Sequence, residues 1–308
     1  ELITASPLDL KKLKYTDDQT IGLVSFFNSV ASGALAQETA ASAPDEANPL
    51  TDDAREHPTI NNDDYLKNLK NLGIDSSLET LGNSDSMQGS VLVTVHFIES
   101  NGTIDPNIYT WTPTDQQNIL NKTAAGLSWW SNRAPSQGAS VTFQLRYYPH
   151  DDSAMQTGYE PILHSLGQAG LWINQIMANL GYNTGDQFAR VAAFNTVQRN
   201  VYGTNWAYSI FVGYNPLPAP DRLTDGYSAW AYYGGPYVHS LFRSFSWDYT
   251  LIASHETGHI FWACDEYYQA GYGGCQSCGV CNPSGPHPTA LNANCEYCNA
   301  SAVSCMMR

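Results

Sequence analysis

All seven cysteines of this 308-residue chain fall between positions 264 and 305, and the residues before them contain none. That distribution divides the chain by what can stabilise it. The cysteine-free part has to be held by its own core, and 43% hydrophobic with 12% aromatic residues is enough to build one and to exclude wholesale disorder. The last part is rich in Gly, Pro and Asn, as in Gly273-Gly274 and Asn282-Pro283-Ser284-Gly285-Pro286. Such segments bury little apolar surface and need cross-links. Cys264, Cys275, Cys278, Cys281, Cys295, Cys298 and Cys305 can pair as disulfides in an oxidising compartment, or hold a second, structural zinc through their C-x-x-C pairs in a reducing one. The acidic, lysine-poor composition favours disulfides, and with them a secreted, extracellular or cell-envelope protein. An odd count leaves at least one thiol free or paired outside the chain.

Charged residues are only 14%, against roughly 25% in ordinary soluble domains, and the net charge is −15. A phosphate backbone would repel such a chain, so nucleic acid is not an expected partner. The carboxylates could serve calcium. No run of 18 apolar residues exists, so no membrane span is expected. The stretch Ile21 to Ala36 is interrupted by Asn28 and serines, and reads as an amphipathic helix rather than a signal peptide. Glu1 in place of a starting Met is expected of a mature or trimmed form. The sequence carries no signal for oligomeric state.

Residues 1–88 differ in composition from the rest of the chain, with a Pro-containing acidic stretch from Ala43 to Asp64, helical patches near 17–36 and 63–72, and a Gly82-Asn83-Ser84-Asp85-Ser86 linker. They read as an N-terminal extension or pro-segment, and 89–308 as the main domain. There, Ser90 to Ile98 reads as a central strand. A helix capped by Asp115 runs to about Asn132, with Ile119, Leu120, Ala124, Leu127 and Trp130 at helical spacing. Next come a strand at 140–148, a helix at 161–180 stopped by Gly181, a short helix at 185–200 and a strand at 206–213. Residues 227–240 read as one more strand near an edge, and 248–263 as the last helix, started by Asp248 or Thr250. This alternation predicts an α/β fold with a twisted, mostly parallel sheet, crossover helices and an antiparallel edge strand, ending in an irregular Cys-rich region at 264–305.

The last helix carries Ser254-His255-Glu256-Thr257-Gly258-His259. Imidazoles four residues apart on a helix share one face, at a separation that one zinc ion can bridge. Glu256 is turned away from ligation but can reach a water at the next coordination position and take its proton. Gly258, which costs roughly 1 kcal/mol against Ala inside a helix, suggests close approach by a neighbouring backbone. A catalytic zinc wants a third protein ligand. Asp265 and Glu266 are the carboxylates within reach, and the one left over could orient a ligand His.

At 255–267 the segment resembles the extended zinc motif of metzincin peptidases, H-E-x-x-H-x-x-G-x-x-H, with Asp265 where the third His stands, as in snapalysin-type members. Asp265-Glu266-Tyr267 is also similar to the ending of the zinc motif in IgA-peptidase-like bacterial enzymes. Trp262 stands at the motif's Gly position, and because Trp disfavours positive φ the turn is expected instead at Ala263-Cys264. The family sets a Met in a turn beneath its zinc, two residues after a Cys in reprolysin-like members. By that match Met307 is the turn residue, with Met306 the alternative. The resemblance implies a zinc endopeptidase acting on protein or peptide substrates, which bind along the edge strand. The other expectation is a binding or adhesive module on a catalytically weak zincin scaffold. His57, His96, His150, His164, His239 and His287 have no partner at ligand spacing and read as ordinary histidines.

Overall fold

The computed structural model describes residues 84–106, 108–217, 222–243, 249–268, 275, 277–283, 285–299 and 305–307. The helices expected near 17–36 and 63–72, and the pro-segment reading of the first 83 residues, lie outside them, as does a cap at Asp248.

The β-branched run Val91, Val93, Thr94 and Val95 lies in strand β1 (Gly89–Phe97), and a two-residue strand β2 (Glu99–Ser100) comes directly after it. Helix α1 (Pro113–Arg133) starts earlier than expected. Thr112, not Asp115, is its cap, accepting from the Asp115 amide at 3.1 Å, and Pro113 occupies the first turn, where its missing N–H costs nothing. Strands β3 (Val141–Tyr148) and β4 (Gln156–Thr157) come next. The long helix expected at 161–180 is broken into two 3-10 turns, 161–163 and 166–168, and helix α2 (Gly170–Asn179). Ser165 and Gln168 form a capping box that begins a new turn, and the Leu166 amide donates to Asp225 at 2.8 Å instead of continuing a helix. Helix α3 (Gln187–Tyr202) is capped by Asp186 and ended by Gly203 at φ 63°. Strand β5 (Trp206–Asn215) is buried along its whole length.

The segment expected as one edge strand is two strands. β6 (Ala229–Ala231) and β7 (Tyr237–Arg243) fold back on each other around Gly234 and Gly235, both at positive φ. Only β6 lies at the edge; β7 is interior. The sheet order is β3-β1-β5-β7-β6, all parallel except the β6–β7 pair. This is the mixed α/β architecture with a mostly parallel sheet that the alternation of elements predicts.

Helix α4 (Tyr249–Ile260) and α1 pack together on one face of the sheet, and α2 and α3 on the other. Trp172, Ile173, Ile176, Met177, Val191 and Phe194 close over Phe211 and Tyr237; each fully buried side chain of this size contributes about 1.5–3 kcal/mol. A single register row crosses all five strands there: Tyr148, His96, Phe211, His239 and Trp230. His96 stacks on Tyr148 and Phe211 at 5.3 and 4.5 Å.

The Cys-rich region carries three disulfides, Cys264–Cys281, Cys275–Cys295 and Cys278–Cys298, with Cα atoms 6.4, 5.5 and 6.0 Å apart. Cys305 is the unpaired thiol. Among the described residues, no helix is long and apolar enough to cross a membrane.

Candidate metal centre

Helix α4 is held by directional bonds. The Tyr208 and Thr257 hydroxyls meet at 2.7 Å and those of Ser240 and Tyr249 at 2.6 Å, which fixes the helix to β5 and β7. On the α1 side, Trp130 Nε1 donates to the Ser254 carbonyl at 2.8 Å and Ser254 Oγ to the Gly126 carbonyl at 2.9 Å. The two helices approach so closely that a Cβ at Gly126 would lie 2.7 Å from the Thr250 oxygen. Gly258 has a similar reason, though not the expected backbone. A Cβ there would meet Met307 Sδ at 2.5 Å and the Trp130 ring at 3.3 Å, so side chains fill that space.

This clamped helix points His255 and His259 at the same spot. Their Nε2 atoms are 3.0 Å apart, and Asp265 Oδ1 lies 2.9 Å from the first and 3.3 Å from the second. All three side chains are buried. Ligand atoms set tetrahedrally about 2.0–2.2 Å from one zinc ion stand roughly 3.4 Å apart, so the three fit a single small cation. Each ring is oriented by a backbone oxygen. His255 Nδ1 lies 3.0 Å from the Met306 carbonyl and His259 Nδ1 2.8 Å from that of Ala263. Donation by Nδ1–H leaves Nε2 of each ring as the atom that would take an ion in place of its proton, the arrangement a metal ligand needs.

The turn that delivers Asp265 corrects the sequence expectation. It is made at Trp262 itself, whose φ is 70°, the sole positive φ of a non-glycine among the described residues. The Ala263 amide donates to the Gly258 carbonyl and the Trp262 amide to that of His259, both at 2.9 Å. This is the two-bond helix ending in which glycine usually takes the left-handed place. Trp there costs about 1–2 kcal/mol. The indole explains why it is tolerated. It sits between Gly234 and Gly285, where added Cβ atoms would come within 2.3 and 2.6 Å of its ring. Asn282 Nδ2 also donates to the Trp262 carbonyl, at 3.3 Å.

Of the two candidate carboxylates, Asp265 joins the histidines and Glu266 does not. Glu266 accepts from the Cys305 thiol at 2.6 Å and from Asn294. Glu256 is buried and stands outside the ligand group. Met307 is buried beneath α4 at Gly258, and Met306 supplies the carbonyl to His255. Burial works against a charge on His255, but Asp265 and Glu256 outweigh it and carry the imidazole up to about 9. The centre is therefore a spot of negative potential that favours a cation. Tyr233 packs edge-on against His259 with centroids 5.3 Å apart.

Among the described residues, His255, His259 and Asp265 are the sole group of three His, Cys, Asp or Glu side chains that converge closely enough to hold one ion. Sequence spacing missed one cluster entirely. His164 pairs with Asp105 at 2.6 Å across 59 residues, and Asp105 also accepts from the Glu160 amide at 2.8 Å. Glu160, buried and accepting from the Tyr109 amide at 2.9 Å, is pushed up to about 8 by burial and by Glu99 and Asp105. Comparison with protein-family models and with curated proteins finds no match to the chain.

Proposed function

We propose that the protein is a zinc-dependent endopeptidase of metzincin-like type, in which His255, His259 and Asp265 hold the ion and Glu256 is the general base. The observation that carries this reading is the convergence of the two Nε2 atoms and Asp265 Oδ1 within 3.3 Å, on a helix whose residue after the first ligand is a buried glutamate. Two imidazoles and one carboxylate suit zinc, and three ligands leave a position open for chemistry. Zinc, when bound, supplies Lewis acidity that makes an attached water deprotonable near neutral pH and polarises a carbonyl. Glu256 takes the proton from the attacking water and returns it to the leaving amine. Extended peptide substrates would bind along β6, the edge strand, by strand addition. The three disulfides agree with an oxidising compartment, and we assign the enzyme to the secreted or cell-envelope class.

The test pairs metal analysis with hydrolysis of casein. Wild type should hold about one zinc per chain, and Asp265→Ala should lose it. Glu256→Gln should keep the zinc while turnover falls roughly 10²–10⁴-fold. Undiminished hydrolysis by Glu256→Gln would remove the mechanism.

A further inference from the structure

Glu266 comes directly after the third ligand, yet its bonds run away from the metal centre, into the C-terminal turn and the Cys-rich loop. Its amide donates to the Met307 carbonyl at 2.6 Å. Its carboxylate oxygen Oε2 accepts both from the Cys305 thiol, at 2.6 Å, and from Asn294 Nδ2. Its carbonyl accepts from the Glu296 amide at 2.8 Å. Met306, between the two turn residues that Glu266 grips, presents the carbonyl 3.0 Å from His255 Nδ1. One residue thus joins the stretch of chain that supplies the third ligand to the stretch that orients the first.

We propose that Glu266 is a positioning residue for the metal centre: by holding Cys305 and Met307 it sets the Met306 carbonyl that selects the ligating tautomer of His255. The inference rests on the metal reading given above. Its chemistry is specific, because an oxygen acceptor is what Cys305 and Asn294 require, not a negative charge. A glutamine can place its carbonyl oxygen at the Oε2 position and take both bonds. An alanine can take neither, and of the bonds from residue 266 to the turn only the backbone one to Met307 is then left. A carbonyl that swings away from Nδ1 allows the imidazole to carry its proton on Nε2, where it competes with the ion.

The experiment uses the full chain as wild type, Glu266→Ala, Glu266→Gln and Cys305→Ser. Zinc affinity is measured by competition with a chromogenic chelator, and the His255 tautomer by nitrogen NMR of histidine-labelled protein freed of metal, recorded above pH 9, where the imidazole is neutral. Glu266→Ala is expected to lose roughly 10–100-fold in zinc affinity and to show a His255 ring no longer held with its proton on Nδ1. Glu266→Gln and Cys305→Ser, which keep an acceptor and a donor, should stay near wild type in both. Wild-type affinity and tautomer in Glu266→Ala would overturn the proposal. So would a Glu266→Gln variant as damaged as Glu266→Ala, since the role would then be one of charge. A wild type that binds no zinc at all would sink the metal reading by itself, and the NMR comparison would still decide whether Glu266 sets the ring.

Discussion

At Trp262 a strained backbone angle and a well-packed side chain oppose each other. The left-handed conformation costs about 1–2 kcal/mol, whereas removing a large aromatic side chain from its packing costs about 3–5 kcal/mol when it is fully buried. The indole is only partly buried, so its contribution is smaller, but two glycines leave room for both of its faces. Trp262→Gly should relieve the angle and still destabilise the fold by about 1–3 kcal/mol. Thermal unfolding reads this directly, and a higher melting temperature in the variant would show that the strain is the larger quantity. The sequence expectation failed at this position because it weighed the residue's own φ preference alone. Gly234 and Gly285, the partners that permit the angle, lie 28 residues upstream and 23 downstream. By contrast, His255 and His259 were legible because four residues on a helix is a local rule. The choice between Asp265 and Glu266 was not, since adjacent side chains diverge and only the turn decides which one faces the histidines. A second residue titrates in a useful range. Burial raises Glu160 to about 8 from its ordinary value of 4.5, so its favourable share of stability is present at low pH and is lost as pH rises through 8. Glu160→Gln should match wild type at pH 5 and be more stable at pH 9, by a few kcal/mol on the order of magnitude set by about 1.4 kcal/mol per pH unit. Equal pH profiles for the two proteins would argue against this.

Among the elements, the five-strand row contains two histidines in a layer of aromatics. Among the described residues, neither ring nitrogen of His239 has a hydrogen-bond partner, and one of His96 has none. Burial holds both near 3, well below the ordinary 6.5, so both are neutral. A lowered value means that their share of stability is complete above pH 6.5 and is lost as pH falls towards 3. His96 faces Tyr148, Phe211, Phe194 and the Ser209 hydroxyl, and the ring packed on His239 is Trp172. None of these supplies a carboxylate to rescue the charged form. His239→Phe, which keeps the ring and removes the titration, should shift the midpoint of acid unfolding to lower pH; an unmoved midpoint would place the acid sensitivity elsewhere. That the chain forms a mostly parallel sheet with helices between its strands was legible here from β-branched runs and alternating helices. The row was not, because register between strands as far apart in sequence as β1 and β5 is set by the whole sheet. The fold-back of β6 on β7 was signalled by Gly234-Gly235-Pro236, but a single apolar stretch on either side concealed that one strand is interior and the other an edge.

Taken as one molecule, the chain joins a core-stabilised sheet to a cross-linked segment, and the joint falls at the candidate metal centre of His255, His259 and Asp265. Cys264 directly precedes Asp265, and its bond to Cys281 closes a loop next to the ligand turn. Each such cross-link contributes about 3 kcal/mol by restricting the unfolded chain. The paired variant Cys264→Ser with Cys281→Ser should therefore lower the melting temperature and weaken zinc binding together. Loss of stability with zinc affinity unchanged would mean that the turn at Trp262 needs no covalent support. Both faces of the sheet are tied by directional bonds: Asn195 of α3 accepts from Ser209 and donates to the Pro236 carbonyl, each at 2.8 Å, and on the other face the hydroxyl pairs close at 2.6–2.7 Å. With Thr257 and Tyr249 tied to different strands, α4 can neither rotate nor advance along its axis without breaking one of them. The helix that carries His255 and His259 thus keeps one setting on β5 and β7, and its two imidazoles stay aimed at Asp265.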